Sequence, residues 1–367
     1  MKCIAYPNYP LGYSETFIKT HLGGLDWDFR LCHSWYPYRD ELTAKPALGF
    51  PFLSLWTNGG LRRLSPQIYE KAYTYQLANY LKKNQVKLLL AEYGLTGANM
   101  TGACRQAGTI LITHFHGADA YQHAVLKQYE KKYQAMFAYS RHIIAVSRAM
   151  QTQLINLGAP KEKVLYIPYG IDSKLFTATN PAQNGLNFVA IGRFTAKKAP
   201  HITLKAFEQV LQKFPEARLQ MIGEGGLLAH TKKLACDIGI TQQVDFLGIL
   251  NPIEVHQVLQ KARAFVQHSV VAPDGDSEGT PNVILEAGMT GLPVVSTRHA
   301  GIKDAIQEGK TGFLVDEYDT NAMANAMIQL AENPDLAQTM GRQARAYIKE
   351  NFDKEYNLKK LRDIIIF

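Results

Sequence analysis

A chain of 367 residues, 46% apolar and 20% charged, has the composition of a globular protein with material for two cores. It offers no run of the about 18 apolar residues that a membrane-spanning helix needs, and its start, MKCIAYPNYPLGYSETF, has no signal-peptide core, so the expectation is an unprocessed cytoplasmic protein. The formal charge of +8 is uneven: residues 1–163 carry 19 basic against 10 acidic side chains and the remainder 21 against 22, and nucleic acid is disfavoured because no recognition motif accompanies the basic excess.

Residues 2–6, KCIAY, read as a short apolar strand, and the turn-rich stretch 7–13, which holds Gly12, leads to a helix opening near Ser14. A strand over 29–33, a helix over 65–84 and a buried strand over 87–91 follow. The strand over 109–113 is expected to deliver His114, Phe115, His116, Gly117 and Asp119 into a loop, with either His114 or His116 facing the site. Strands over 142–146 and 164–167 complete the first half. Arg62, Arg63, Lys71, Lys82, Lys83, Lys127, Lys131 and Lys132, interleaved with Tyr69, Tyr73, Tyr75, Tyr80, Tyr129 and Tyr133, make a basic face. Such a face suits anionic lipid headgroups, an acidic acceptor or plain solvent.

The polar, aperiodic TATNPAQNG at 177–185 reads as a domain boundary. Strands over 187–191, 218–222, 244–247, 264–267, 294–297 and 312–315 then alternate with helices over 200–213, 227–238, 253–261, 320–332 and 335–351. Alternation in both halves predicts an α/β protein with two Rossmann-like doubly wound domains facing across a cleft. The domains would span 1–176 and 186–346, with helices in 347–367 packing back on the first. Cys3, Cys32, Cys104 and Cys236 lack CxxC spacing, so no zinc site or disulfide framework is indicated.

The stretch 277–293, SEGTPNVILEAGMTGLP, carries Glu278 and Glu286 eight positions apart. Thr280 is expected as a helix N-cap and Pro281 as the first helical residue, with Gly291 and Pro293 ending the helix. An anion at that helix start would meet free N–H groups and the positive end of the dipole. Two acids around such a start suit a ligand with phosphates and several hydroxyls, such as a nucleotide sugar. Gly192-Arg193-Phe194-Thr195-Ala196-Lys197-Lys198 follows an apolar strand, where Arg193 and Lys198 could grip a diphosphate and neutralise it as it leaves. Gly223-Glu224-Gly225-Gly226 is either a ligand-approaching turn or a plain tight one. Asp274 and Asp276 could hold a divalent cation, but a loop-shaping role is the expected one.

Together these residues, with GLPVVSTRHAGI at 291–302, the SETFI run at 14–18, the HGAD run at 116–119 and PYGID at 168–172, resemble family 4 of the retaining glycosyltransferases. Within it the chain looks most like bacterial enzymes of exopolysaccharide and colanic-acid-type assembly. The resemblance implies the GT-B fold and transfer of a sugar from a nucleotide-diphosphate sugar to a saccharide or lipid-linked acceptor, with retention and without a metal or other cofactor. It implies that Glu286 binds the ribose hydroxyls, that Glu278 faces the donor sugar, that Arg193 and Lys198 hold the diphosphate, and that His116 lines the donor and acceptor pocket. Gly12, Gly192, Glu224, Gly279, Thr280, Asn282 and Val283 complete the implied donor-binding set. The implied location is cytoplasmic, extending to the inner face of the membrane. Ala199, where the family commonly has Gly, and Asn282, where many members have an apolar residue, are departures. A nucleotide-sugar epimerase or a phosphorylase of the same fold, or a non-catalytic binding protein, are the competing readings.

Overall fold

Short β-branched and apolar runs bounded by turn formers give thirteen strands in two sheets in a computed structural model that describes residues 1–7, 11–12, 15–32, 39–40 and 65–366. Ser14, His33, Arg62, Arg63, the Tyr69 side chain and most of the turn 7–13 lie outside the described residues, while the helix expected to open near Ser14 spans Thr16–Gly24. Two compact units emerge: residues 1–146, 150–167 and 358–367, and residues 147–149 and 168–357.

The first unit holds β1 (Lys2–Tyr6), β2 (Phe29–Cys32), β3 (Arg39–Asp40), β4 (Leu88–Glu92), β5 (Ile110–Phe115), β6 (His142–Ala145) and β7 (Val164–Tyr166), in the order β3-β2-β1-β4-β5-β6-β7. All pairings are parallel except β2 with β3. β4, LLLAE, is buried at every position, as a strand covered on both faces must be. Ile4, Ile18, Leu90, Ile112 and Ile144 share a core with Leu358, Leu361 and Ile365 of the last helix, Lys354–Ile365.

The second unit holds β8 (Asn187–Ile191), β9 (Arg218–Ile222), β10 (Val244–Gly248), β11 (Ala264–Gln267), β12 (Val294–Thr297) and β13 (Gly312–Val315), in the order β10-β9-β8-β11-β12-β13. This all-parallel order is the doubly wound Rossmann arrangement. Phe188, Phe207, Leu219, Val266 and Met327 lie at its centre. The winding direction reverses between β8 and β11, and between β1 and β4 in the first unit. Ligands of open α/β sheets gather beyond the strand ends at such points.

Two expectations are corrected and one helix is added. His114 and Phe115 belong to β5 rather than to the loop after it, because Glu92 and His114 continue the pairing with β4. The helix in the 277–293 stretch spans Asn282–Thr290, so Pro281 is the cap residue and Thr280 lies outside. Helix Gly94–Ala107, which sequence reading passed over, carries glycines of poor helix propensity for a packing reason. A Cβ on Gly94 would press to 2.2 Å from the Phe115 ring, and one on Gly97 to 2.4 Å from Thr113 Oγ1.

Candidate functional site

The β8–β11 reversal brings two loops together. The first, after β8, runs through Gly192 and Arg193 to a 3-10 turn at Ala196–Lys198, and Ala199 then adopts φ 35°, ψ 52° before Pro200 opens the helix Pro200–Lys213. This left-handed position is one that glycine takes without cost. Ala199 keeps it with its side chain fully buried beside Ile202 and Val270.

Lys198 Nζ reaches Glu278 Oε1 at 2.9 Å, and both side chains are largely buried. With the Gln267 amide oxygen turned inward, it accepts from Lys198 Nζ at 3.2 Å and from Ser269 Oγ at 2.8 Å, while its nitrogen donates to Ile191 O. Burial opposes the charge on Glu278, but Lys198 and Lys197 outweigh burial and hold its carboxyl down at about 2. Desolvation pulls the Lys198 ammonium below its ordinary range, against the pull of Glu278. Lys197 is itself buried, donating to Asp276 Oδ1 at 3.0 Å and to Ser277 O at 3.2 Å. Asp274 Oδ1 accepts from Asp276 N at 3.0 Å. Both aspartates therefore shape the loop that presents Glu278. Arg193 is exposed and has no ion-pair partner among the described residues.

His299 was not singled out by sequence reading, yet it holds this loop from behind. Its Nδ1 lies 2.6 Å from Glu317 Oε1, while its Nε2 accepts from Glu278 N at 3.2 Å and lies 2.9 Å from Ser277 Oγ. The Glu317 carboxylate thus selects the tautomer that leaves Nε2 free to accept. The only sequence signal was a lone His in STRHAGI. Behind the same loop, Gly301 packs so closely that a Cβ would come 2.0 Å from Gly279 O and 2.6 Å from Thr280 Oγ1.

Glu278, Gly279 and Thr280 lead into the helix Asn282–Thr290, whose start has no side-chain cap and which Gly291 ends at φ 86°. Val283 stands in its first turn. Glu286 lies one turn further on, and its carboxylate has no hydrogen-bond or ion-pair partner among the described residues. Burial alone pushes it up to about 7. An unpartnered carboxylate in such a place is a mark of a ligand site.

The Gly223–Gly226 turn is adjacent. A Cβ on Gly223, at φ 130°, would meet Gly192 O at 2.1 Å, and one on Gly225, at φ 151°, would meet Phe194 O at 2.6 Å. Both glycines are needed for the turn to lie against the Gly192 loop. Glu224 presents its backbone carbonyl to Phe194 N and leaves its side chain exposed.

His116 and Gly12 belong to the first unit, around its own β1–β4 reversal. Gly12 N donates to Glu15 Oε2 at 2.7 Å, and Tyr93 OH donates to Glu15 Oε1 at 3.1 Å. His116 and His114 are both buried, so neither is an exposed loop residue. His116 Nε2 lies 2.7 Å from Glu92 Oε2, and its ring stacks on Phe17 with centroids 4.2 Å apart. Asp119 pins the turn by accepting from the amides of His116, Gly117 and Gly94 at 3.0, 2.8 and 2.8 Å. Burial opposes charge on Glu92, but His21, His116 and His114 together hold its carboxyl well below the usual range.

Two cations and a helix start at the reversal of one doubly wound unit, preceded by a second such unit, define a nucleotide-dependent enzyme class of the GT-B fold. Two solved structures share the whole fold: HepE of Anabaena in complex with UDP, at TM-score 0.77 and 18% identity over 100% of this chain and 99% of that one, and the galactosyltransferase WaaB, at 0.75 and 17% over 100% and 99%. Family models match two regions, "Glycosyltransferase Family 4" over residues 32–175 and "Glycosyl transferases group 1" over 173–347. The chain belongs to the glycosyltransferases, the two models together matching residues 32–347. It is similar to the amylovoran biosynthesis glycosyltransferase AmsK of Erwinia amylovora, 29% identical over 76% of this chain and 69% of that protein. It is also similar to the putative colanic acid biosynthesis glycosyltransferase WcaL of Escherichia coli, 27% identical over 76% and 70%.

Proposed function

We propose that this glycosyltransferase moves a sugar from a nucleotide-diphosphate sugar to a saccharide or lipid-linked saccharide of a bacterial surface polysaccharide, with retention of configuration and without a metal on the diphosphate. The observation that carries this reading is the buried Lys198–Glu278 pair at the end of β8, beside an uncapped helix start. Lys198, the unpaired Arg193 and the first-turn amides near Gly279, Thr280, Asn282 and Val283 supply the positive field that a leaving diphosphate needs. Glu286 accepts from the ribose hydroxyls, and Glu278, anchored by Lys198, faces the donor sugar. Because Lys198 already engages Glu278, this reading favours front-face attack, in which the acceptor oxygen bonds to the anomeric carbon as the diphosphate leaves and a leaving-group oxygen takes the acceptor proton. His116 is assigned to the sugar and acceptor pocket.

Incubation with a panel of nucleotide sugars and acceptors is expected to give a transferred product whose anomeric configuration by NMR matches the donor. An inverted linkage would overturn retention, and an epimerised donor without transfer would place the protein in another class. Transfer is expected to persist in EDTA. Loss restored by manganese in the parent but not in Asp274→Asn or Asp276→Asn would bring these aspartates back as ligands.

The helix Pro66–Lys83 supports a peripheral membrane location, since it exposes Ile68 and Tyr75 at 59% and 62%, together with Lys71, Lys82 and Lys83. Each lysine at an anionic surface contributes about 1 kcal/mol. Sedimentation with phosphatidylglycerol-containing vesicles is therefore expected to fall about fivefold for each of Lys71→Gln and Lys82→Gln. Equal recovery with neutral vesicles would remove the anionic headgroups from this account, and no recovery with either would remove the membrane.

A further inference from the structure

The first unit contains a cluster of which the transfer reaction uses only His116. Glu92, fully buried at the end of β4, faces three histidines that are themselves buried. His21, on the helix Thr16–Gly24, places Nδ1 at 2.7 Å from Glu92 Oε1. His114, paired with Glu92 across the β4–β5 ladder, places Nδ1 at 3.5 Å from Oε2. His116 Nε2 takes the same Oε2 at 2.7 Å.

We propose that His21, Glu92 and His114 form a binding site for a divalent transition-metal ion, zinc first among them, which fastens the helix Thr16–Gly24 to the ends of β4 and β5. The ligand atoms all lie within 4.8 Å of one another. Tetrahedral zinc with bonds of about 2.0–2.1 Å holds its ligand atoms about 3.3 Å apart. His21 Nδ1 lies 2.7 Å from Glu92 Oε1 and His114 Nδ1 lies 3.5 Å from the other oxygen, Oε2, so small side-chain rotations bring one oxygen and the two nitrogens to that spacing.

A second observation points to a ligand independently of the spacing. His114 is 1% exposed, and among the described residues neither of its ring nitrogens has a hydrogen-bond partner, Glu92 Oε2 standing off from Nδ1 at 3.5 Å. A buried imidazole left unpaired on both sides is costly, and a bound ion is one of the few things that repays it. Imidazole nitrogens with a carboxylate are the donors zinc takes at a three-ligand site, with a fourth position for water. His116 would then hydrogen-bond the ligating carboxylate from outside, the arrangement that fixes metal-bound carboxylates elsewhere. Trp27 Nε1 donates to His21 O at 2.9 Å and steadies the helix end from which His21 projects.

The test uses the full chain, stripped with chelator and titrated with zinc against a chromophoric competitor. The expected result is one zinc per chain, with X-ray absorption showing nitrogen and oxygen ligands at about 2.0–2.1 Å and imidazole scattering. His21→Gln and His114→Gln are each expected to weaken binding by on the order of 100-fold or more. Circular dichroism melts establish that each variant is folded, and the absorption measurement on the unaltered protein stands if a variant is not. Failure of the unaltered protein to bind zinc, sulfur ligation, or undiminished binding in folded variants would each overturn the proposal. Nucleotide binding is measured on the same samples: its loss without loss of zinc would count against the donor site alone.

Discussion

Lys198→Ala is expected to lower kcat for transfer by about 100- to 1000-fold, the usual effect of removing one preorganised group that meets developing charge. It is also expected to destabilise the protein, because it leaves Glu278 buried without its nearest cation. Breaking one side of such a pair costs about 3–5 kcal/mol, and Lys197 offsets part of it. The pH dependence follows from the sign of the shift. Glu278 is held at about 2, below its ordinary 4.5, so its contribution is present above pH 4.5 and lost as pH falls through about 2. In Lys198→Ala the carboxyl rises, and the variant and the parent converge in stability toward acid pH. The double substitution Lys198→Met with Glu278→Gln removes both charges and is expected to recover most of the stability but none of the turnover. Denaturant midpoints and single-turnover rates measured on the parent and the two variants decide this. Recovered activity in the double variant would show that Lys198 acts only through Glu278.

Glu286→Gln is expected to separate stability from binding. The parent carboxyl sits at about 7, raised from 4.5 by burial, so the ligand-free protein loses stability as pH rises from about 4.5 through 7. Glutamine has no proton to lose, and the variant is expected to be the more stable of the two at pH 8. Its affinity for the nucleotide is expected to fall by about 10- to 150-fold, the worth of charged hydrogen bonds to ribose hydroxyls at about 1.5–3 kcal/mol. In the parent, affinity should rise with pH up to about 7, and in the variant it should be flat. Calorimetric titrations at pH 6, 7 and 8 check this, and an unchanged affinity in Glu286→Gln would remove the residue from the site.

The strands were legible because each is a short apolar run between turn formers. β1, β8, β9, β11, β12 and β13 begin and end at the residues read from the sequence. Helix Gly94–Ala107 was not, because its glycines obey close packing against Thr113 and Phe115 rather than propensity. Arg193, Lys198, Glu278 and Glu286 could be picked out by charge and by position after strands. His299 could not, because its importance lies in a backbone amide 21 residues away along the chain.

Local order in the chain therefore determined the alternation of strands and helices and the residue types of the site, since periodicity and turn chemistry are properties of neighbours in sequence. Only the tertiary structure decided the winding that reverses between β8 and β11 and sets Lys198 on Glu278. It also decided which acids are paired. Asp276 is neutralised by Lys197, whereas Glu286 is half-buried without a partner among the described residues. Burial and pairing, which set the charge state of each group, depend on residues that fold together from distant parts of the chain.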